Sequence, residues 1–129
     1  MSDRTYPAYG HIYFYRSSRH SGDTKIRPGI VVSKDAVNAV SETVQIVPLT
    51  KHLDVQEGMY AIRFMLPSKI SFLEHDSIVM CDKATTILSS RIVSLSVGIL
   101  PEEWISHLKN CLAMSHENKP VMFIGAGGR

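Results

Sequence analysis

The sequence predicts a mainly β domain with some helix: a strongly bent antiparallel sheet or partly open barrel of about five to six strands, plugged by one C-terminal helix. Three observations predict it. Short β-branched and aromatic runs recur as far as Val97, bounded by Gly, Pro, Ser and Asp. One segment, beginning at Leu100, carries apolar residues at helical spacing. A length of 129 residues suffices for one buried core and is short for two. Residues 1–116 are read as a single domain and 117–129 as a C-terminal tail.

The first strand is expected over Gly10–Arg16, with Ile12 and Phe14 on one face and Tyr13 and Tyr15 on the other. Residues 17–26 are polar and basic and have little to bury, so they read as a mobile loop. Strand two runs from Arg27 to Lys34. Its Pro28 lacks a ladder donor, which fits a strand start and leaves Arg27 in the loop just ahead of the sheet. Asp35–Ser41 reads as a short helical turn and Thr43–Thr50 as strand three. Met59–Met65, Ser77–Asp82 and Arg91–Val97 supply three further candidates.

Pro101 at the first helical position, with Glu102 and Glu103 in the first turn, suits the positive end of a helix dipole. Trp104, Ile105, Leu108, Cys111 and Leu112 then form one apolar stripe that should pack on the sheet. The segment 121–129 reads as an added edge strand or a frayed tail.

Composition narrows the function classes. Hydrophobic content of 44% and charged content of 20% are ordinary for a globular domain. The apolar runs are a few residues long, far short of the roughly 18 of a membrane span. Residues 1–10 lack the apolar core of a signal peptide. Cys81 and Cys111 sit in apolar segments, which suits buried free thiols and a cytoplasmic location. None of the six histidines has ligand spacing with Cys or acids, so no metal or other cofactor is expected. The net charge of +2 conceals an uneven distribution, because residues 1–34 hold six Lys or Arg against two Asp. That asymmetry points to a polyanionic ligand near the N-terminal third. The tyrosines beside these cations invite a base-stacking role, although strand alternation and core packing account for most of them.

Several pieces occur in a consistent order: Gly10-His-Ile-Tyr-Phe14, a hydrophilic loop, Arg27-Pro-Gly-Ile-Val-Val32, Asn38, Val47-Pro-Leu-Thr50, Cys81-Asp-Lys83, Arg91-Ile92 and the closing Leu100-Pro-Glu-Glu103. With these pieces, spanning Gly10 to Met114, the chain resembles the MazF/PemK-type toxins of bacterial type II toxin-antitoxin pairs. The resemblance implies an SH3-like barrel, a homodimer, a cognate antitoxin that is an acidic segment lying in the RNA groove, and metal-free cleavage of single-stranded RNA. It also implies Arg27, Thr50 and Asp82 as catalytic residues. Arg19, His20, Lys25, Lys51 and Lys83 are the accompanying candidates for RNA binding.

Three positions depart from the family pattern. Met80 stands two residues before Asp82 where several relatives carry arginine, Lys83 replaces a glutamine, and Thr85 replaces a further arginine. Met80 can neither donate a proton nor bind phosphate. Each candidate also has an ordinary reading: Arg27 as a surface arginine, Thr50 as a strand-end hydroxyl, Asp82 as an ion-pair partner of Arg91 or Lys83, and His20 as a loop histidine. The alternative functions are a non-catalytic gyrase-binding toxin resembling CcdB, or an attenuated relative that binds only RNA or antitoxin.

Overall fold

A computed structural model describes residues 6–18, 24–51 and 62–117. Seven strands make up the sheet: β1 (His11–Ser18), β2 (Thr24–Val31), β3 (Thr43–Lys51), β4 (Arg63–Leu66), β5 (Ser77–Met80), β6 (Thr85–Leu88) and β7 (Gly98–Ile99). Three helices accompany them: α1 (Asp35–Asn38), α2 (Ser68–Ser71) and α3 (Glu102–Glu117). The spatial order is β4-β5-β3-β2-β1-β7, with β6 also paired to β3, and every pairing is antiparallel.

Strand β3 is the pivot of this arrangement. Its first half, Thr43–Ile46, pairs with β6, its middle with β2, and its last three residues, Leu49–Lys51, with β5. One strand thus joins three ladders, and the sheet changes partner along its length. Both faces of β3 are covered, which explains why Ile46, Val47, Pro48 and Leu49 are buried in succession instead of alternating.

The two faces hold separate apolar clusters. Ile12, Ile30, Val47, Leu49, Phe64, Leu66 and Val79 pack with Leu100, Ile105, Leu108 and Cys111, so this is the face that α3 covers. Tyr13, Tyr15, Val31 and Ile46 form the second cluster on the opposite face. The expected split of the first strand is therefore observed in Ile12 against Tyr13 and Tyr15. The helical stripe is observed as well: Ile105, Leu108 and Cys111 are buried, with Trp104 and Leu112 flanking them. Phe64 and Trp104 stack with ring centroids 6.0 Å apart, which ties β4 to α3.

The structure corrects four expectations. Ser17, Ser18 and Thr24–Ile26, assigned to a loop, extend the β1–β2 hairpin, whose paired backbones satisfy their own polar groups without any apolar burial. Arg27 consequently lies inside β2, opposite Tyr15, and not ahead of the sheet. The expected strand 91–97 reduces to a single bridge between Tyr15 and Ile92. There the Ser94 hydroxyl accepts the Phe14 amide at 2.9 Å, so a side chain takes the place of a ladder partner. The actual neighbours are β6 and β7, together with the short helix α2, none of which was expected. The first part of the candidate strand 59–65 and the tail 121–129 lie outside the described residues.

Asn38 has a structural role. Buried in α1, it donates from Nδ2 to the Ser33 carbonyl at 2.9 Å and accepts from the Ser33 hydroxyl, which itself accepts the Gln45 amide at 3.0 Å. These bonds close the connection between β2 and β3.

Candidate functional site

The site begins with the β1–β2 ladder. Pro28 stands opposite Phe14, whose own amide turns outward to Ser94, so the pair exchanges no ladder bonds and the missing Pro28 donor faces β3. Pairing between β2 and β3 ends one residue on, at Gly29 and Pro48. Beyond that point the two strands part, β2 continuing along β1 and β3 along β5. Arg27 and Thr50 lie just past this fork. A Cβ on Gly29 would come within 2.8 Å of Ile46 and 2.9 Å of Tyr15, so only glycine lets the second cluster close beneath the fork.

A cleft of about 550 Å³ opens there, lined by Arg27, Pro48 and Tyr15 from the three central strands. Arg16, Lys83 and Arg91 bring three more cations to it, and Met80 and Thr85 complete the side nearest β5. No carboxylate lines it among the described residues. Lys83 arrives on a 3-10 turn, Cys81–Lys83, and Arg91 on another, Ser89–Arg91, where it donates to the Arg16 carbonyl at 3.5 Å. Four cations crowding an open, acid-free cleft repel one another and are stabilised by an anion that bridges them.

The sequence candidates divide on this geometry. Arg27 and Lys83 line the cleft. Thr50 is half-buried opposite Ile78 and does not line it; by strand alternation it shares the face of Ile46 and Pro48. Lys25 and Lys51 are exposed and do not line it, although Lys25 is paired to Ser17, which does, while Lys51 is paired to Ser77. Arg19 and His20 lie outside the described residues. Arg16 and Arg91 were missed as site residues, because their approach depends on two connections that have no sequence signature.

Asp82 takes neither of the partners expected for it. Its carboxylate receives a bidentate bond from Arg63, Nε to Oδ1 at 2.7 Å and Nη2 to Oδ2 at 2.9 Å. Burial alone would raise the Asp82 pKa, but the Arg63 guanidinium outweighs it and holds the carboxyl below its ordinary value. The bond to Asp82 in turn raises Arg63. Next to it, burial pushes the Cys81 thiol up to about 12, with further contributions from Cys111 and Asp82. The two cysteines are therefore neutral core residues and not nucleophiles. Among the described residues no three of His, Cys, Asp and Glu are gathered to hold a metal ion. No helix among them is long and apolar enough to cross a membrane.

A small bent sheet with a C-terminal helix on one face and, on the other, a cationic cleft lined by no described carboxylate is suited to a polyanion. Residues 8–116 match the family described as PemK-like, MazF-like toxin of type II toxin-antitoxin system, and the chain belongs to that family. Solved structures agree on the fold. The chain is similar to the Mycobacterium tuberculosis toxin MazF-mt6, with 17% identity and a TM-score of 0.68 over 85% of this chain and 99% of that one. It is similar to a Deinococcus radiodurans MazE-MazF structure at 19% identity and TM-score 0.69, over 89% and 100% of the two chains. An endoribonuclease in complex with its cognate antitoxin from a mycobacterial species gives 19% identity and TM-score 0.65, over 88% and 99%. No curated protein sequence matches.

Proposed function

We propose that the chain is a metal-independent endoribonuclease toxin that cuts single-stranded RNA and is neutralised by a cognate antitoxin. The acid-free cleft with Arg27 at its floor carries this reading, since an RNA strand supplies the bridging phosphates that such a site lacks. In the reaction the 2′-OH attacks the adjacent phosphorus and the bond to the 5′-oxygen breaks. The products are a 2′,3′-cyclic phosphate and a 5′-OH. The Arg27 guanidinium binds the phosphoryl oxygens and stabilises the charge that develops on them. Thr50 hydrogen-bonds the phosphate or the 2′-OH, and Asp82 has an orienting role. Arg16, Lys83 and Arg91 position neighbouring phosphates, with Tyr15 beneath them as an aromatic floor.

The same charge explains the inhibitor. An acidic antitoxin segment satisfies the cleft as RNA does and competes for it. A homodimer places two such clefts in one particle, and the proposed activity belongs to the cytoplasm, where RNA is the substrate.

The test is to incubate purified protein with a long single-stranded RNA in EDTA and to map the new ends. Cyclic phosphate and 5′-OH termini are the expected products. RNA that is bound but remains intact would instead indicate an attenuated RNA-binding relative. RNA that is neither bound nor cut, with gyrase captured in parallel, would favour the CcdB-like alternative.

A further inference from the structure

Arg63 was not singled out by any motif, yet it makes the best-formed ionic contact among the described residues. Its partner Asp82 sits between Met80 and Lys83, and both of those residues line the cleft. In the β4–β5 ladder Arg63 pairs directly with Met80, so the two share a sheet face and the guanidinium reaches two residues further to Asp82. Both side chains of the pair are well covered, with 19% and 22% exposure. A planar fork meeting both carboxylate oxygens fixes orientation as well as distance, which an ammonium does not.

The turn that carries Asp82 is held from two sides. On one side Cys81 is buried beside Cys111 in the core under α3, and the Ser115 hydroxyl of α3 approaches the Cys81 carbonyl at 3.5 Å. On the other side stands Arg63, projecting from an edge strand of four residues. Lys83 is the next residue of the same turn. Among the described residues its side chain has no hydrogen bond or ion pair of its own, so its place in the cleft depends on the turn.

We propose that Arg63 is a positioning residue for the RNA site: by clamping Asp82 it fixes the 81–83 turn and sets where Lys83 enters the cleft. Asp82 then serves the site by holding the turn and not by accepting a proton. This rests on the cleft being the RNA site.

A double-mutant cycle tests it. Arg63→Gln, Lys83→Ala and the double variant are compared with the wild-type chain for affinity toward a fluorescent single-stranded RNA in EDTA and for single-turnover cleavage across pH. Arg63→Gln should weaken binding to about the level of Lys83→Ala, roughly tenfold, and the double variant should be little worse than either. Arg63→Lys should recover only part of the loss, because it lacks the fork. Independent, multiplying losses would overturn the link to Lys83. For Asp82, the charge-swapped chain Arg63→Asp with Asp82→Arg should regain cleavage together with binding. A swapped chain that regains binding but not cleavage would make Asp82 a proton acceptor and overturn its holding role.

Backbone amide exchange gives a readout that needs no RNA. Arg63→Gln should speed exchange at residues 81–84 while leaving the β1–β2 hairpin unchanged. Unchanged exchange at 81–84 would overturn the clamp even if the chain cleaves RNA. Faster exchange in a chain that binds no RNA would keep the clamp and reject the proposed function instead.

Discussion

Arg27 and Arg63 are the same residue type on the same face of one sheet, and they do opposite things with their charge. Arg63 is covered and spends its fork on Asp82, so its charge is neutralised within the fold. Arg27 opens onto a cleft with three other cations and no lining carboxylate among the described residues. A paired guanidinium joins two elements of the protein. A guanidinium without an acid partner is available to a ligand, and the fold bears the repulsion until one arrives. The difference arises from their surroundings: Arg63 faces a turn that presents an acid, whereas Arg27 faces the fork where β2 and β3 separate.

Removing the unpaired charge should have the largest effect. Arg27→Ala is expected to lower RNA cleavage by about 10²–10³-fold, as loss of a group that stabilises transition-state charge does. Its unfolding free energy should stay within about 0.5 kcal/mol of wild type in urea titrations, because no side-chain partner among the described residues is lost. A large loss of stability would show Arg27 to be structural, like Arg63, and would erase the contrast.

The floor of the cleft provides the next test. Gly29→Ala places a methyl group against Ile46 and Tyr15 and is expected to destabilise the chain by about 1–3 kcal/mol in the same titration. Cleavage per folded molecule should fall too, since Tyr15 lines the cleft.

Salt should separate the two arginines more finely. If all four lining cations meet phosphates, the logarithm of RNA affinity falls against the logarithm of salt with a slope of roughly −3, at about −0.7 per contact with a single strand. Arg27→Gln or Arg91→Gln should each reduce that slope by about 0.7, as read by fluorescence anisotropy. Arg63→Gln should lower the slope only by the contact that Lys83 makes, and not at all in a Lys83→Ala background, which would show that the Arg63 charge itself is internal.

The smallest expected effect is in acid. The Asp82 pKa is lowered in the folded chain, so the stability its ionised form provides is complete above the ordinary carboxylate value of 3.8 and is lost as the pH falls through the lowered one. Arg63 and Lys83 are the cations facing it. The stability difference between wild type and Asp82→Asn should be constant from pH 7 to about 5 and shrink below about pH 4, as followed by thermal unfolding.

How much of the molecule could be read in advance varies from element to element. Strands β1, β2 and β3 and helix α3 were legible because each carries its own periodicity and boundary residues: Gly10, Pro28, Pro101 and the stripe from Trp104 to Leu112. Strand β6 was not, since Thr85–Leu88 is mostly exposed and owes its conformation to pairing with the first half of β3. The segment 91–97 misled because its alternating pattern is real, while only separate backbone bonds, from Val93 to Phe14 and from Val97 to Ile12, and the Ser94 and Ser96 hydroxyls join it to β1 in place of a continuous ladder.

The sequence by itself determined the class of fold and the family and singled out Arg27 as a candidate, because these depend on patterns local to a few residues and on their order. Only the tertiary structure decided which charges work together. Arg16, Arg27, Lys83 and Arg91 come from a strand end, a strand interior and two separate turns, and Asp82 meets an arginine nineteen residues away. Electrostatic partnership depends on distance and burial in space, and neither is encoded in the spacing of residues along the chain.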